Sequence, residues 1–128
     1  MSPHRVVPLL ALLTLGGCAS LGYHTTNSFA NTRAWASVSD PNARVALARM
    51  YADPDAWPQS RGRRANPVQA AKWCLIYQMQ HVAADPAILA SGPSCEQILA
   101  SLPPEAVNRG LGLAVGYFMN SPVEISPN

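Results

Sequence analysis

Hydrophobic residues recur at helical spacing from residue 41 onward, and Asx-Pro pairs stand where the helices are expected to begin. Asp40-Pro41 is one such pair, because Asp as N-cap followed by Pro at the first helical position is a strong helix start. Apolar residues then follow at the i, i+4, i+7 and i+8 spacing of one helical face. They are Ala43, Leu47, Met50 and Tyr51. The pattern predicts a helix over residues 41–52.

A second helix, predicted over residues 67–83 after Asn66-Pro67, is apolar on two sides. One stripe consists of Val68, Ala71, Leu75, Met79 and Val82, and the other consists of Ala70, Trp73, Cys74 and Tyr77. A helix with two apolar faces must contact neighbours on both sides. Such a helix is typical of a stack of helix pairs.

Shorter elements follow. Asp85-Pro86 opens a helical turn over residues 86–90, and Ser94 with Gln97 forms a capping box that opens a helix over residues 95–101. Pro104-Glu105 opens a last helix to about residue 119. Its predicted core stripe is Val107, Leu111, Ala114, Val115 and Phe118, and a second face carries Ala106, Gly110, Leu113 and Tyr117. No useful stretch alternates as a strand does, so the predicted fold class is all-α, with about four helices in antiparallel pairs.

The remaining segments are polar. Residues 19–39 are rich in Ser, Thr, Asn and Gly and show no apolar period, which predicts that residues 18–39 form a flexible tether. Trp35 interrupts this tether and is expected to dock on the domain. Residues 120–128 hold few apolar anchors and are expected to be a flexible tail. The helical domain is therefore predicted over residues 40–119.

Composition narrows the class of protein. The chain has 128 residues, with Lys plus Arg 9 and Asp plus Glu 7, so its formal net charge is +2. This length fits one small domain. A charge so near neutral excludes a strongly basic nucleic-acid binder. The 12 Pro residues favour short capped helices over long ones.

Residues 1–17 have the pattern of an export signal. A short basic start precedes an apolar run of about ten residues, which is too short to span a hydrocarbon core about 30 Å thick. Leu15-Gly16-Gly17-Cys18 follows and resembles the lipobox of bacterial lipoproteins. The resemblance implies a diacylglyceryl group on Cys18 and, with Ala19 next, anchoring in the outer membrane facing the periplasm. The alternative is a soluble secreted protein cleaved near Ala19.

Cys74 and Cys95 remain as a pair once Cys18 carries lipid. In an oxidising envelope compartment the simplest expectation is one disulfide. Closing a loop of about 21 residues would add about 3 kcal/mol of stability. Two buried thiols are the alternative. A catalytic thiol is disfavoured because His81 lies two helical turns, or about 10.5 Å, from Cys74.

Small and aromatic residues follow a fixed order across residues 43–77. The order is Ala43, Leu47, Ala48, Met50 and Tyr51, then Trp57-Pro58-Gln59-Ser60, then Ala70-Ala71-Lys72-Trp73. It resembles a Sel-one-like repeat, a relative of the tetratricopeptide repeat. The connection departs from the family pattern, since Pro54 and Ala56 replace two glycines and extra residues lengthen it. Residues 102–106 resemble the start of the helix that closes such arrays.

The resemblance implies a short helix-pair array that works as an adaptor or assembly factor without catalytic activity. The expected function is therefore a lipid-anchored envelope protein that binds one or more protein partners of unknown identity. An immunity protein that blocks a toxin is a narrower form of the same class. The alternative from another class is an envelope enzyme that acts on the cell wall.

Candidate chemistry is sparse along the chain. The sequence holds no recognisable nucleophile, zinc, phosphate-loop or paired-carboxylate motif, so no catalytic residue, metal ligand or cofactor is predicted. Arg61, Arg63 and Arg64 form the densest charge group. With Trp57 they are the candidate partner-binding surface, for an acidic partner or anionic lipid headgroups. The alternatives are a solvated loop and a Trp57 that fills the core of the repeat.

Overall fold

The computed structural model describes residues 28–120, and over this range the chain is helical without strands. The all-α fold class is therefore confirmed. A short 3-10 helix, Pro54–Ala56, lies in the long connection after the second α-helix. The α-helices, numbered here in chain order, are α1 Phe29–Ser37, α2 Pro41–Ala52, α3 Pro67–Gln80, α4 Pro86–Ala90, α5 Cys95–Ser101 and α6 Pro104–Asn120.

Side-chain caps fix the helix starts that the sequence predicted. The Asp40 carboxylate accepts hydrogen bonds from the backbone N–H groups of Asn42 at 2.9 Å and Ala43 at 3.3 Å. The Ser94 and Gln97 side chains form the predicted reciprocal capping box at the start of α5. Each cap satisfies N–H groups that have no partner within the helix. The bounds of α2 and α5 agree with those predicted.

Helix α3 lies at the centre of the domain and packs against α2, α5 and α6. Its buried residues are Ala70, Ala71, Trp73, Cys74 and Ile76. The prediction that neighbours cover both sides of this helix is thus confirmed. The helix ends three residues earlier than expected, because His81 takes the left-handed conformation with φ 58°. Val82, predicted on a core stripe, is consequently 52% exposed.

Helix α1 corrects the prediction of a flexible tether. Ser28 caps the helix by accepting a hydrogen bond from Asn31 N. Phe29, Thr32 and Ala36 then point inward at i, i+3 and i+7 and are buried. Phe29 packs edge-on against the Tyr51 ring of α2, with the centroids 5.3 Å apart.

The tether prediction failed because this helix needs only one large apolar residue and two small ones to pack. The expected docking of Trp35 is also not observed, since that side chain is 43% exposed. Three predicted features lie outside the described residues. They are the signal segment at 1–17, the part of the tether at 18–27 with the lipidation site at Cys18, and the predicted tail at 120–128 apart from Asn120, which ends α6.

Arg44 on α2 is fully buried and hydrogen-bonds to three other helices. Its guanidinium donates to Ala36 O of α1 at 2.8 Å, to the Gln80 side chain of α3 at 2.6 Å, and to the Tyr117 hydroxyl of α6 at 2.9 Å. A buried charge is tolerated when its donors are satisfied in this way. Arg44 therefore sets how α1, α3 and α6 are arranged around α2.

Arg49, one and a half turns further along α2, attaches the short helices. Its guanidinium donates to the carbonyl oxygens of Ile88 at 2.8 Å, Leu89 at 3.3 Å and Pro93 at 2.9 Å. These carbonyls lie at the end of α4 and in the link to α5, where no further helical turn supplies N–H donors to them. A side chain of α2 thus holds the link between α4 and α5, in addition to the local hydrogen bonds that Ser91 donates to Ile88 O.

Cys74 and Cys95 lie at disulfide-bond distance, with their Cα atoms 5.1 Å apart. This arrangement fits the predicted disulfide, and it connects α3 to the first turn of α5. Both cysteines are buried. The pair therefore reinforces the edge of the core where α5 packs.

The core face of helix α6 agrees with the predicted core stripe only in part, because Ala114 of that stripe is buried together with Ala106 and Gly110 of the predicted second face. Ala106, Gly110 and Ala114 are its buried residues, whereas Leu111 and Val115 of the predicted core stripe are 42% and 43% exposed. A Cβ on Gly110 would lie 2.6 Å from the Ala71 Cβ of α3. The two helices approach so closely that small residues fill the contact, and Leu111 and Val115 remain outside.

Candidate functional site

Trp57 and the arginine-rich loop, predicted as one partner-binding surface, lie in different surroundings. Trp57 is half-buried against the core, and the Arg49 guanidinium lies 5.8 Å from its ring centroid. A Cβ on Gly92 would approach the Trp57 ring to 2.8 Å, so the ring packs against the α4–α5 link. This placement matches the packing role considered for Trp57 rather than an exposed contact.

Local hydrogen bonds shape the loop that carries the arginines. The buried Ser60 hydroxyl donates to Pro54 O at 2.8 Å, and the Asp55 carboxylate accepts from Gly62 N at 3.0 Å. Gly62 has φ +87°, a conformation that L side chains rarely adopt. These contacts give the loop a defined turn, and the turn fixes where the side chains of Arg63 and Arg64 leave the backbone.

Arg63 and Arg64 meet Arg33 of α1 around an open cleft of about 330 Å³. We call this feature the arginine cleft. Its lining consists of Phe29, Arg33, Met50, Tyr51, Arg63, Arg64 and Asn66. Arg61, the third arginine of the predicted surface, is exposed but does not line the cleft.

The arginine cleft has a cationic rim and an aromatic wall. Its lining includes three arginines and no carboxylate. The Arg63 guanidinium stacks on the Phe29 ring, 3.9 Å from the centroid, which holds its planar fork in place. A guanidinium held in this way can donate two parallel hydrogen bonds to the oxygens of an anionic group.

Sequence reasoning found two of these three arginines and missed Arg33. The miss follows from the tether prediction, because only the helical form of residues 29–37 brings Arg33 to the loop. The sequence contains one signal of this helix, because Ser28 is a good N-cap residue. No helical period of large apolar residues follows Ser28, however.

A second surface lies on the side of α6 that faces away from α3. Leu111, Val115 and Met119 lie there at i, i+4 and i+8 and are 42%, 43% and 71% exposed. We call this stripe the outer α6 face. Gly112 and Gly116 flank it, and a Cβ on Gly112 would meet nothing within 4 Å.

The described residues provide neither a metal-binding group nor a membrane-spanning helix. Among residues 28–120, no three His, Cys, Asp or Glu side chains are grouped so as to hold a metal ion. No helix in the same range is long and apolar enough to cross a bilayer. His81 lines only a shallow depression of about 210 Å³ beside Tyr77, Gln78, Val82 and Ala83.

Lys72 is the one lysine of the chain and lies half-buried between α3 and α6. Its ammonium is 4.6 Å from the Trp73 ring centroid and 6.0 Å from that of Tyr117. Burial lowers the pKa of Lys72 from its ordinary value of 10.5, because desolvation disfavours the charged form.

Comparison with protein-family models, with curated proteins and with solved structures found no match to this chain.

Proposed function

We propose that this protein is a lipid-anchored, non-catalytic adaptor of the bacterial envelope that binds a helix of a partner protein. The observation that carries the proposal is the outer α6 face, an exposed apolar stripe of Leu111, Val115 and Met119. The stripe spans about 12 Å along the helix, since each residue rises 1.5 Å. An apolar stripe at this spacing is the complement of an amphipathic helix.

The glycines of α6 support an α-helix as the occupant. Gly110 has an evident role, because its missing side chain admits α3. Gly112 and Gly116 have no comparable neighbour, although each costs a helix interior about 1 kcal/mol relative to Ala. They border the exposed stripe and lower the surface there, so a second helix backbone can approach α6 as closely as α3 does.

Helix α3 provides a precedent within the same chain. It is apolar on two sides, and helices cover both. Helix α6 is also apolar on two sides, but α3 covers only its Ala106, Gly110 and Ala114 side. In a stack of helix pairs the terminal face is normally polar, so an apolar terminal face within the described residues favours one more helix packed on it, and we propose that the partner supplies this helix.

The location that we propose in the cell envelope completes the proposal. The Leu15-Gly16-Gly17-Cys18 motif supports lipidation at Cys18, and two or more acyl chains anchor a protein stably where one does not. The helical pairs support the Sel-one-like class of interaction modules suggested by residues 43–77. We propose that the anchor keeps the domain at the membrane and that the outer α6 face engages the partner.

Site-specific photo-crosslinking in intact cells tests this. A photoreactive residue at Leu111 should give a discrete adduct with one partner protein, and Met119→Glu in the same chain should abolish it. Ala100→Glu, which adds the same charge at an exposed position of α5, should leave the adduct unchanged. Equal adducts in both variants, or an adduct with a second copy of this chain alone, would contradict the proposal.

A further inference from the structure

We propose that the arginine cleft binds the phosphate of an anionic phospholipid headgroup in the membrane that holds the lipid anchor. The proposal rests on the anchor at Cys18 and is independent of the outer α6 face. It assigns the cleft a second role, which is to fix the orientation of the domain on the bilayer.

The residues that line the cleft are suited to a phosphate. Arg33, Arg63 and Arg64 converge from α1 and from the loop before α3, and a guanidinium binds phosphate oxygens through two parallel N–H donors. Asn66 adds an uncharged polar group to the lining. The cleft volume of about 330 Å³ is at the small end of ligand sites, which range over about 300–1,000 Å³, and it suits a headgroup rather than an extended chain.

The cleft is organised before any ligand arrives. Arg63 is stacked on Phe29, its backbone N–H donates to Ser60 O at 3.0 Å, and Asp55 holds the turn at Gly62. Asn66 N donates to Tyr51 O at 2.9 Å, which fixes the other end of the loop. Binding then need not order Arg63 or the loop backbone, so more of the interaction with the anion appears as affinity.

The position of the cleft selects a membrane as the source of the phosphate. Nine residues lie between Cys18 and Ser28, and the ten residue steps from one to the other span at most about 36 Å. Phe29, the first residue of α1, itself lines the cleft. The cleft therefore lies at the end of the domain to which the anchor attaches, and an acyl group on Cys18 keeps it within reach of headgroups at a high effective concentration.

Vesicle binding by the full chain with Cys18→Ser, which carries no lipid, tests the proposal. The probes are vesicles of phosphatidylcholine alone and vesicles that also contain phosphatidylglycerol. The cleft variant is Arg33→Gln/Arg64→Gln, which leaves the stacked Arg63 in place. The matched control is Arg61→Gln/Arg109→Gln, which removes the same charge from exposed positions outside the cleft.

We expect the Cys18→Ser protein to prefer the vesicles that contain phosphatidylglycerol. The cleft variant should bind them about tenfold or more weakly, and the control should lose less than about threefold, since diffuse attraction to the surface falls by the same amount in both. Circular dichroism melting should show that all variants remain folded. The outer α6 face is intact in every variant, so failure here would leave the crosslinking result unaffected.

Three results would overturn the proposal. Equal losses in the cleft variant and the control would mean that net charge alone attracts the vesicles. Tight binding of glycerol phosphate without any preference for phosphatidylglycerol vesicles would identify a soluble phosphate as the ligand. Stronger binding of an acidic peptide than of the vesicles, lost in the cleft variant, would assign the cleft to a protein.

Discussion

Two groups of arginines in neighbouring parts of this molecule have opposite surroundings. Arg44 and Arg49 on α2 are buried and donate to carbonyl, amide and hydroxyl oxygens of the other helices. Arg33 and Arg64 line an open cleft with no carboxylate in its lining. The difference teaches that the role of an arginine depends on whether its donors are used within the fold. Arginines whose donors are used hold the helices together, and those in the cleft are left for a ligand.

Replacement of Arg44 should give the largest effect on stability. Arg44→Met removes the guanidinium donors to Ala36 O, the Gln80 amide oxygen and the Tyr117 hydroxyl, of which Ala36 O keeps a backbone donor in Ser39 N. We therefore expect a loss of about 3 kcal/mol in the free energy of unfolding. Urea denaturation with an unchanged m-value measures it. A loss below about 0.5 kcal/mol would show that the buried guanidinium is no more important than a surface one.

Arg49→Lys separates charge from geometry. Lysine keeps the positive charge but has a single nitrogen, which cannot reach the carbonyls of Ile88, Leu89 and Pro93 together. We expect a loss of about 2 kcal/mol in the free energy of unfolding. Amide hydrogen exchange should report the loss locally, with faster exchange in the α4–α5 link than in α2. Uniform exchange changes across the domain would contradict a local fastening role.

Lys72 is an intermediate case, half-buried between aromatic rings. Burial lowers the pKa of Lys72 in the folded protein. At pH values between the folded-state pKa and 10.5, Lys72 is therefore protonated to a greater extent in the unfolded chain than in the folded protein. The free energy of unfolding should therefore rise as pH increases through this alkaline window, and the gain is lost as pH falls through the folded-state pKa.

Lys72→Met should abolish that increase. The measurement is the difference in the free energy of unfolding between the unaltered protein and the variant, taken from neutral pH to above 10.5. The difference cancels the tyrosine titrations that both proteins share. A pH-independent difference would mean that Lys72 is as well solvated in the folded protein as in the unfolded chain.

The cleft arginines should have the smallest effect on stability. Arg33→Gln/Arg64→Gln should change the free energy of unfolding by less than about 0.5 kcal/mol, as expected for surface positions. The same thermal or urea measurement used for Arg44→Met checks it. A loss comparable to that of Arg44→Met would identify these arginines as structural and remove the contrast between the two groups.

The parts of the fold predicted from the sequence are those with strong local signals. Asp40-Pro41 and the Ser94–Gln97 capping box determine helix starts within a few residues, so α2 and α5 were predicted with their observed bounds. The two apolar sides of α3 likewise report its central position. Each of these signals acts over a single helical turn or a single helix.

The missed parts depend on the way in which helices approach one another. Arg44 and Arg49 are charged residues that the sequence gives no reason to place in the core, and only the packing of helices around α2 shows that they are buried. The predicted core stripe of α6 included Ala114, which is buried, but also Leu111 and Val115, whereas close approach to α3 buries Ala106 and Gly110 instead. The arginine cleft needs both α1 and the turn at Gly62, and neither has a hydrophobic period that sequence reasoning could detect.

The attachment of the α4–α5 segment has a consequence for how the protein responds to reductants. This segment is fastened at one end by Arg49, through hydrogen bonds, and at the other by Cys95, through sulfur. Thiols in solution reduce the disulfide but do not affect the hydrogen bonds of Arg49. The segment should thus loosen in two separable stages, the first by reduction and the second by denaturant.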